Sequence, residues 1–286
     1  MDTGTARRLA RLNSGQDGRA LLVALDHGLT GGPPKGLESF SAAKSWVDNP
    51  AITGLVMHRG TLKTLTGRGM ALQKPVLLQS NGMSRWAQNP SDKPILASAE
   101  DAVRLGADGL SVEFCAERGS FGENLRAIAR QIGAADQYGL PVMVMLSITD
   151  APNDGDEWVE MHRAITRTLI EIGATFIKVR QPPTKDLWRP YLEGICNDAC
   201  IVMAGGGVDE PSRVVERLGA GLRSGALGMC VGRNIFQHLD PAQFLAEIAS
   251  LPMGRNVTVA DGSLGEQARE AEAGKRRAQR RGRSRL

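Results

Sequence analysis

Aromatic residues are scarce, at 4% of the chain, which argues against a surface built to stack nucleobases. No apolar run approaches the ~18 residues that a membrane-crossing helix needs. The first residues, Met1-Asp-Thr-Gly-Thr-Ala-Arg-Arg8, lead into no apolar signal core, so a cytoplasmic protein is expected. Cysteine is also sparse. Of Cys115, Cys196, Cys200 and Cys230, only Cys196 and Cys200 stand at a ligand-like spacing, and one such pair without a second is weak evidence for zinc. All four read as reduced, mostly buried thiols. The dinucleotide signature Gly-x-Gly-x-x-Gly fits nowhere after the first apolar run, which removes the usual mark of an open nucleotide-binding sheet.

What the chain does have is length, glycine and apolar bulk. Its 286 residues, 42% hydrophobic and with 34 glycines, suit a single α/β barrel of roughly 250 residues plus tails. The formal net charge of +4 belongs to the end of the chain. Lys275, Arg276, Arg277, Arg280, Arg281, Arg283 and Arg285 crowd into the last thirteen residues, and the remaining body is mildly acidic. Residues 254–286 are therefore read as a solvated, disordered basic tail outside a barrel domain of residues 1–253, and nucleic acid is not expected as a partner.

Eight short apolar runs recur along that domain: 20–26, 52–57, 75–79, 109–113, 141–146, 175–179, 201–204 and 227–231. Between them lie segments with helical period, clearest from Phe121 to Tyr138, Trp158 to Ile172 and Pro211 to Leu222. Continuously apolar strands alternating with helices imply a parallel sheet covered on its outer face. Eight is the closing number of a (β/α)8, or TIM, barrel, and its chemistry would sit at the C-terminal ends of the strands.

Thr175-Phe-Ile-Lys-Val179 is the run on which the functional reading turns. A lysine inside a buried strand must meet a carboxylate or lose its proton. A desolvated amine is the nucleophile of Schiff-base chemistry, and the plainer alternative is a lysine snorkelling into a structural ion pair. At the other strand ends stand Asp26-His27, His58-Arg59, Gln79-Ser80-Asn81, Glu113, Ser147, Gly205-Gly-Gly207 and Gly232-Arg-Asn234. Asp26 is the expected partner of Lys178, because a loop rather than a helix is expected from Gly28 to Gly36. His27 is open between a structural bond and a site role, and His58 likewise; His162 and His238 are given ordinary roles. Gly205, Gly206, Gly207, Gly232 and Arg233 are expected to cradle a phosphate, since glycines let backbone N–H groups approach phosphate oxygens and a guanidinium can fork onto one.

In that order Leu25-Asp-His-Gly28, Gly36-Leu37, His58-Arg-Gly60, Gly106-Ala-Asp108, Gly119-Ser120, Tyr138-Gly-Leu-Pro141, Ile177-Lys178, Ala204-Gly-Gly206 and Val231-Gly-Arg-Asn-Ile-Phe-Gln237 resemble the archaeal-type class I fructose-bisphosphate aldolases of the DeoC/LacD aldolase superfamily. The resemblance runs from roughly Leu22 to Ser250. It implies a cytoplasmic Schiff-base lyase and homo-oligomer, in which Lys178 forms the imine, Asp26 assists with protons, and Gly205, Gly206, Gly232 and Arg233 hold the phosphate of a ketose or dihydroxyacetone-phosphate-like substrate. No metal or cofactor is called for, because a protonated imine does the polarising. One position departs. Family aldolases carry an acid/base tyrosine in a turn just after strand five, where this chain has Ser147-Ile148-Thr149. Ile148 can move no proton, so Ser147, His58 and Glu113 become candidates for the missing acid. The chain also resembles the thiolase acting on phosphorylated autoinducer-2, so acyl transfer to a thiol is one alternative. A barrel that binds a phosphosugar without catalysis is another.

Overall fold

The computed structural model describes residues 2–254, and the expected basic tail lies, apart from Gly254, outside the described residues. Eight parallel strands close into a barrel in chain order. They are β1 (Ala20–Ala24), β2 (Gly54–Met57), β3 (Val76–Gln79), β4 (Gly109–Ala116), β5 (Val142–Ile148), β6 (Phe176–Val179), β7 (Cys200–Ala204) and β8 (Gly228–Val231). Closure is made by β8 against β1, from Ala20↔Gly228 to Val23↔Val231. The helices are α1 (Thr3–Leu12), α2 (His27–Gly31), α3 (Arg59–Gly67), α4 (Ala99–Arg104), α5 (Phe121–Asp136), α6 (Gly155–Glu171), α7 (Trp188–Leu192), α8 (Pro211–Arg223), α9 (Arg233–Phe236) and α10 (Pro241–Ala249). Among the described residues no helix is long and apolar enough to cross a membrane.

The strands are apolar on both faces because both faces are covered. Ala20, Leu22 and Ala24 of β1 join the cluster inside the barrel, while Leu21, Val23 and Leu25 join the larger cluster beneath the helices. Leu9 and Leu12 of α1 belong to the inner cluster together with Ala20 and Leu227. The first helix therefore seals the N-terminal end of the barrel, and the C-terminal mouth is left for polar groups. Two of the cysteines, Cys115 and Cys230, are buried, while Cys196 and Cys200 are only half-buried.

Two strands run further than their sequence reading. β4 continues through Phe114-Cys115-Ala116 and β5 through Ser147-Ile148, joined by a ladder from Leu110↔Val142 to Ala116↔Ile148. Polar Glu113 and Ser147 had marked those runs as finished, yet Phe114, Leu146 and Ile148 keep the outward apolar alternation going. Near the mouth, Gly36 adopts φ +81°, and a Cβ there would stand 1.7 Å from the Phe236 carbonyl oxygen. Only glycine permits both, so the loop after β1 is latched onto α9. His162 has the ordinary role expected of it. It stacks on Trp158 at 3.6 Å, its Nδ1 lies 2.8 Å from the Trp158 carbonyl oxygen, and burial lowers its pKa to about 4.

Candidate active site

The barrel mouth holds a cavity of about 260 Å³, and Lys178 lies within its lining. The position follows from strand periodicity. Phe176 points into the barrel interior at 1% exposure, so Lys178, two residues on, points the same way one layer nearer the mouth. Its backbone is flanked by Met145 of β5 and Val202 of β7, and the residue is buried.

Burial works to strip the Lys178 ammonium of its proton, while the Cys230 sulfur, Asp26 and Glu113 act to retain it, and the balance lies on the raised side. The Cys230 thiol is itself pushed up by burial. Asp26 and Glu113 act on the lysine through space, and among the described residues neither makes a direct ion pair with it. Of the two outcomes open to a buried lysine, the charges around Lys178 favour the protonated one.

Asp26 occupies the cap position of α2, a short helix where the sequence reading expected loop. Its side chain makes no capping bond, which leaves the carboxylate for the cavity. His27 lines the cavity as well, with Nδ1 3.4 Å from Asp26 Oδ1 and its ring edge-on to Phe236 at 5.3 Å. Burial lowers the His27 pKa, Asp26 raises it, and Lys178 and Arg233 lower it again, for a net fall. Gly232 makes room for this ring: a Cβ there would meet His27 Cε1 at 2.5 Å and the Ala24 carbonyl oxygen at 2.8 Å.

The mouth does not gather every expected residue. His58 lines a neighbouring cavity of about 600 Å³, with Phe40 and Gln79, and burial lowers its pKa. It follows β2 as the cap residue of α3, and its ring is not part of the Lys178 cavity's lining. Ile148 is the clearest correction. It stands in the segment where the resemblance places an acid/base tyrosine, yet it is 5% exposed within the outer cluster beneath the helices. The strand's period of two sends Ser147 inward instead, and Ser147 lines the cavity.

Gly205, Gly206 and Gly232 line the rim on the β7–β8 side with Arg233, while Gly207 is not part of the lining. The buried Asn234 donates from Nδ2 to the carbonyls of Gly205 at 2.9 Å and Gly207 at 3.1 Å. The Arg233 guanidinium donates to the Gly206 carbonyl at 3.2 Å and is otherwise exposed. Asn234 thereby ties the two glycine turns into one rim, with an arginine free to close on an anion.

Two further cations reach the cavity without having been singled out. Arg180 follows Lys178 at a spacing of two, a signal that was present in the sequence. Lys93 arrives on the long connection between β3 and α4, and its Nζ lies 3.2 Å from Glu113 Oε2. Nothing local marks it, since Asn89-Pro-Ser-Asp-Lys-Pro94 reads as any surface loop. Glu113 itself lines the cavity as expected. Together the mouth offers a buried amine, carboxylates on two sides of it, and a glycine–arginine rim suited to an anion.

Comparison with known proteins identifies the family. The family model for DeoC/LacD family aldolases matches residues 20–238. The 2-amino-3,7-dideoxy-D-threo-hept-6-ulosonate synthase 1 of Archaeoglobus fulgidus is 26% identical over 246 residues, covering 84% of this chain and 87% of that protein. The 3-hydroxy-5-phosphonooxypentane-2,4-dione thiolase of Klebsiella pneumoniae is 27% identical over 257 residues, covering 87% and 81%. Among solved structures, a Schiff-base-forming fructose-1,6-bisphosphate aldolase superposes with a TM-score of 0.75 at 22% identity, over 86% of this chain and 99% of that one. At that identity the likeness speaks for the fold.

Proposed function

The chain belongs to the DeoC/LacD family of aldolases, and from that premise we propose that Lys178 forms an imine with a phosphorylated ketose or a dihydroxyacetone-phosphate-like donor. The observation that carries this reading is a lysine buried at the mouth end of the barrel interior, with Asp26 and Glu113 lining the same cavity. When a carbonyl arrives, the ammonium passes its proton to a neighbouring carboxylate and the freed amine attacks the carbon. Loss of water leaves a protonated imine. That group accepts the electron pair as the adjacent carbon–carbon bond breaks, or supplies an enamine when it forms. Asp26 assists the proton transfers of imine formation.

Gly205, Gly206, Gly232 and Arg233 hold the donor's phosphate, and Gly207 supports the rim through its carbonyl contact with Asn234. Replacing Arg233 by Ala is expected to weaken dihydroxyacetone phosphate binding by roughly 1.5–3 kcal/mol, the scale of one charge-assisted contact. Binding of unphosphorylated dihydroxyacetone should hardly change, and titration calorimetry with the two ligands checks it. Equal losses would make Arg233 structural.

The direct experiment is borohydride reduction in the presence of a panel of phosphorylated carbonyl compounds, read by intact mass. One adduct per chain is expected, on the peptide that contains Lys178. An unmodified chain across the panel would leave a phosphosugar-binding barrel without this chemistry. Thiolase-type acyl transfer is the second reading, favoured by the match to the Klebsiella thiolase. Turnover of a phosphorylated dione only with coenzyme A present would select it.

A further inference from the structure

Lys178 cannot carry the proton of the carbon–carbon step while it is bonded to the substrate carbon, so a second group must. We infer that Glu113 is this proton carrier and that Lys93 is the residue that positions it. The inference rests on the imine chemistry proposed for Lys178.

Strand register places Glu113 correctly. Glu113 pairs with Met145, and Met145 pairs with Lys178, so the acid and the amine share one inward layer two strands apart. Both line the same cavity. The direction is equally informative. The phosphate rim stands on β7 and β8, on one side of Lys178, and β4 stands on the other. A donor held by its phosphate at the rim, with its carbonyl carbon on Lys178, extends its remaining carbons towards Glu113. His27 lies on the phosphate side, packed against Gly232. His58 belongs to the adjacent cavity. Ser147 is on the right side, but an unassisted hydroxyl holds its proton too tightly to give it up near neutral pH.

The backbone and the carboxylate of Glu113 are each held in place. Asn81, 2% exposed, accepts from the Glu113 backbone N–H at 2.7 Å and donates to the Glu113 carbonyl at 2.8 Å. Lys93, with only 12% of its side chain exposed, closes on Oε2 at 3.2 Å. That leaves Oε1 facing no stronger partner than the Cys115 thiol at 3.8 Å. One oxygen is fixed and the other can meet substrate.

In the cleavage direction the Glu113 carboxylate takes the proton from the hydroxyl beyond the breaking bond. The bond's electron pair moves into the imine, and the aldehyde departs. Glu113 then gives the proton to the enamine carbon, restoring the protonated imine that water hydrolyses. The reverse sequence makes the bond.

The enamine step can be followed with dihydroxyacetone phosphate alone, as exchange of its hydroxymethyl hydrogen with heavy water by NMR, beside borohydride trapping and thermal melting. Glu113→Gln is expected to form the trapped adduct at the wild-type level while exchange slows by about 10²–10⁴-fold. Lys93→Met should show the same split to a smaller degree, and Lys93→Arg, which keeps the cation, should recover most of the exchange. Normal exchange in Glu113→Gln would overturn the assignment of Glu113. Equal loss of trapping and exchange in both Lys93 variants would make Lys93 structural and overturn its part. No adduct in the wild-type protein would overturn the imine reading and this inference with it.

Discussion

Lys178→Met is expected to give a folded barrel with no measurable turnover. Methionine keeps the length and apolar stem of the lysine, and its neighbours Phe176 and Met143 already form an apolar floor. Losing the ammonium removes the desolvation cost of a buried charge. Thermal stability should therefore hold, while turnover falls on the order of 10⁴-fold or more, the scale seen when a covalent nucleophile is deleted. The borohydride adduct should vanish with it. Lys178→Arg should fail equally, since a guanidinium stays protonated and cannot attack a carbonyl. Full activity in the Met variant, or an adduct mapped to another lysine, would refute the Schiff-base mechanism.

Asp26→Asn should separate two properties that usually fall together. Its carboxylate is among the charges that raise the Lys178 pKa, so its removal lets burial pull that pKa down. In the wild-type protein the raised pKa means that imine trapping climbs as pH rises towards the alkaline range. In the Asn variant the same climb should occur at lower pH. Turnover should nevertheless drop by about 10²–10⁴-fold, because the group that moves protons during imine formation is gone. Trapping measured across pH beside steady-state rates makes the comparison, and an unmoved trapping profile would mean that Asp26 does not hold the lysine's charge. Linkage gives a further sign. A lysine pKa raised above its usual 10.5 stabilises the fold fully below that pH, and the contribution disappears only as pH rises through the folded value.

The barrel was legible because each strand is buried on both faces, so its residues form an apolar run that needs no partner to be recognised. Lys178 was legible for the converse reason, as one charge inside such a run. Direction was harder. Ser147 and Ile148 are adjacent and were read as a turn, but a strand continues through them and turns only one of them inward. Had β5 been extended by two residues, alternation alone would have turned Ser147 inward and Ile148 outward. His27 was similarly obscured by α2, which begins where a loop was expected and carries its ring to the cavity. Lys93 lay beyond sequence reading altogether. Its contact with Glu113 spans the connection from β3 to β4, and no spacing along the chain encodes it.

The helix that closes the far end of the barrel also has a kinetic meaning. With Leu9 and Leu12 stoppering that end, the proposed chemistry is approached from the C-terminal mouth, where both reactants would have to enter. On the proposed reading, the partner that bonds to the lysine would enter first, and whatever joins it would bind above. Departure runs in the opposite sequence, last in and first out. A chamber of this shape is expected to give an ordered kinetic pattern, which product-inhibition measurements would check.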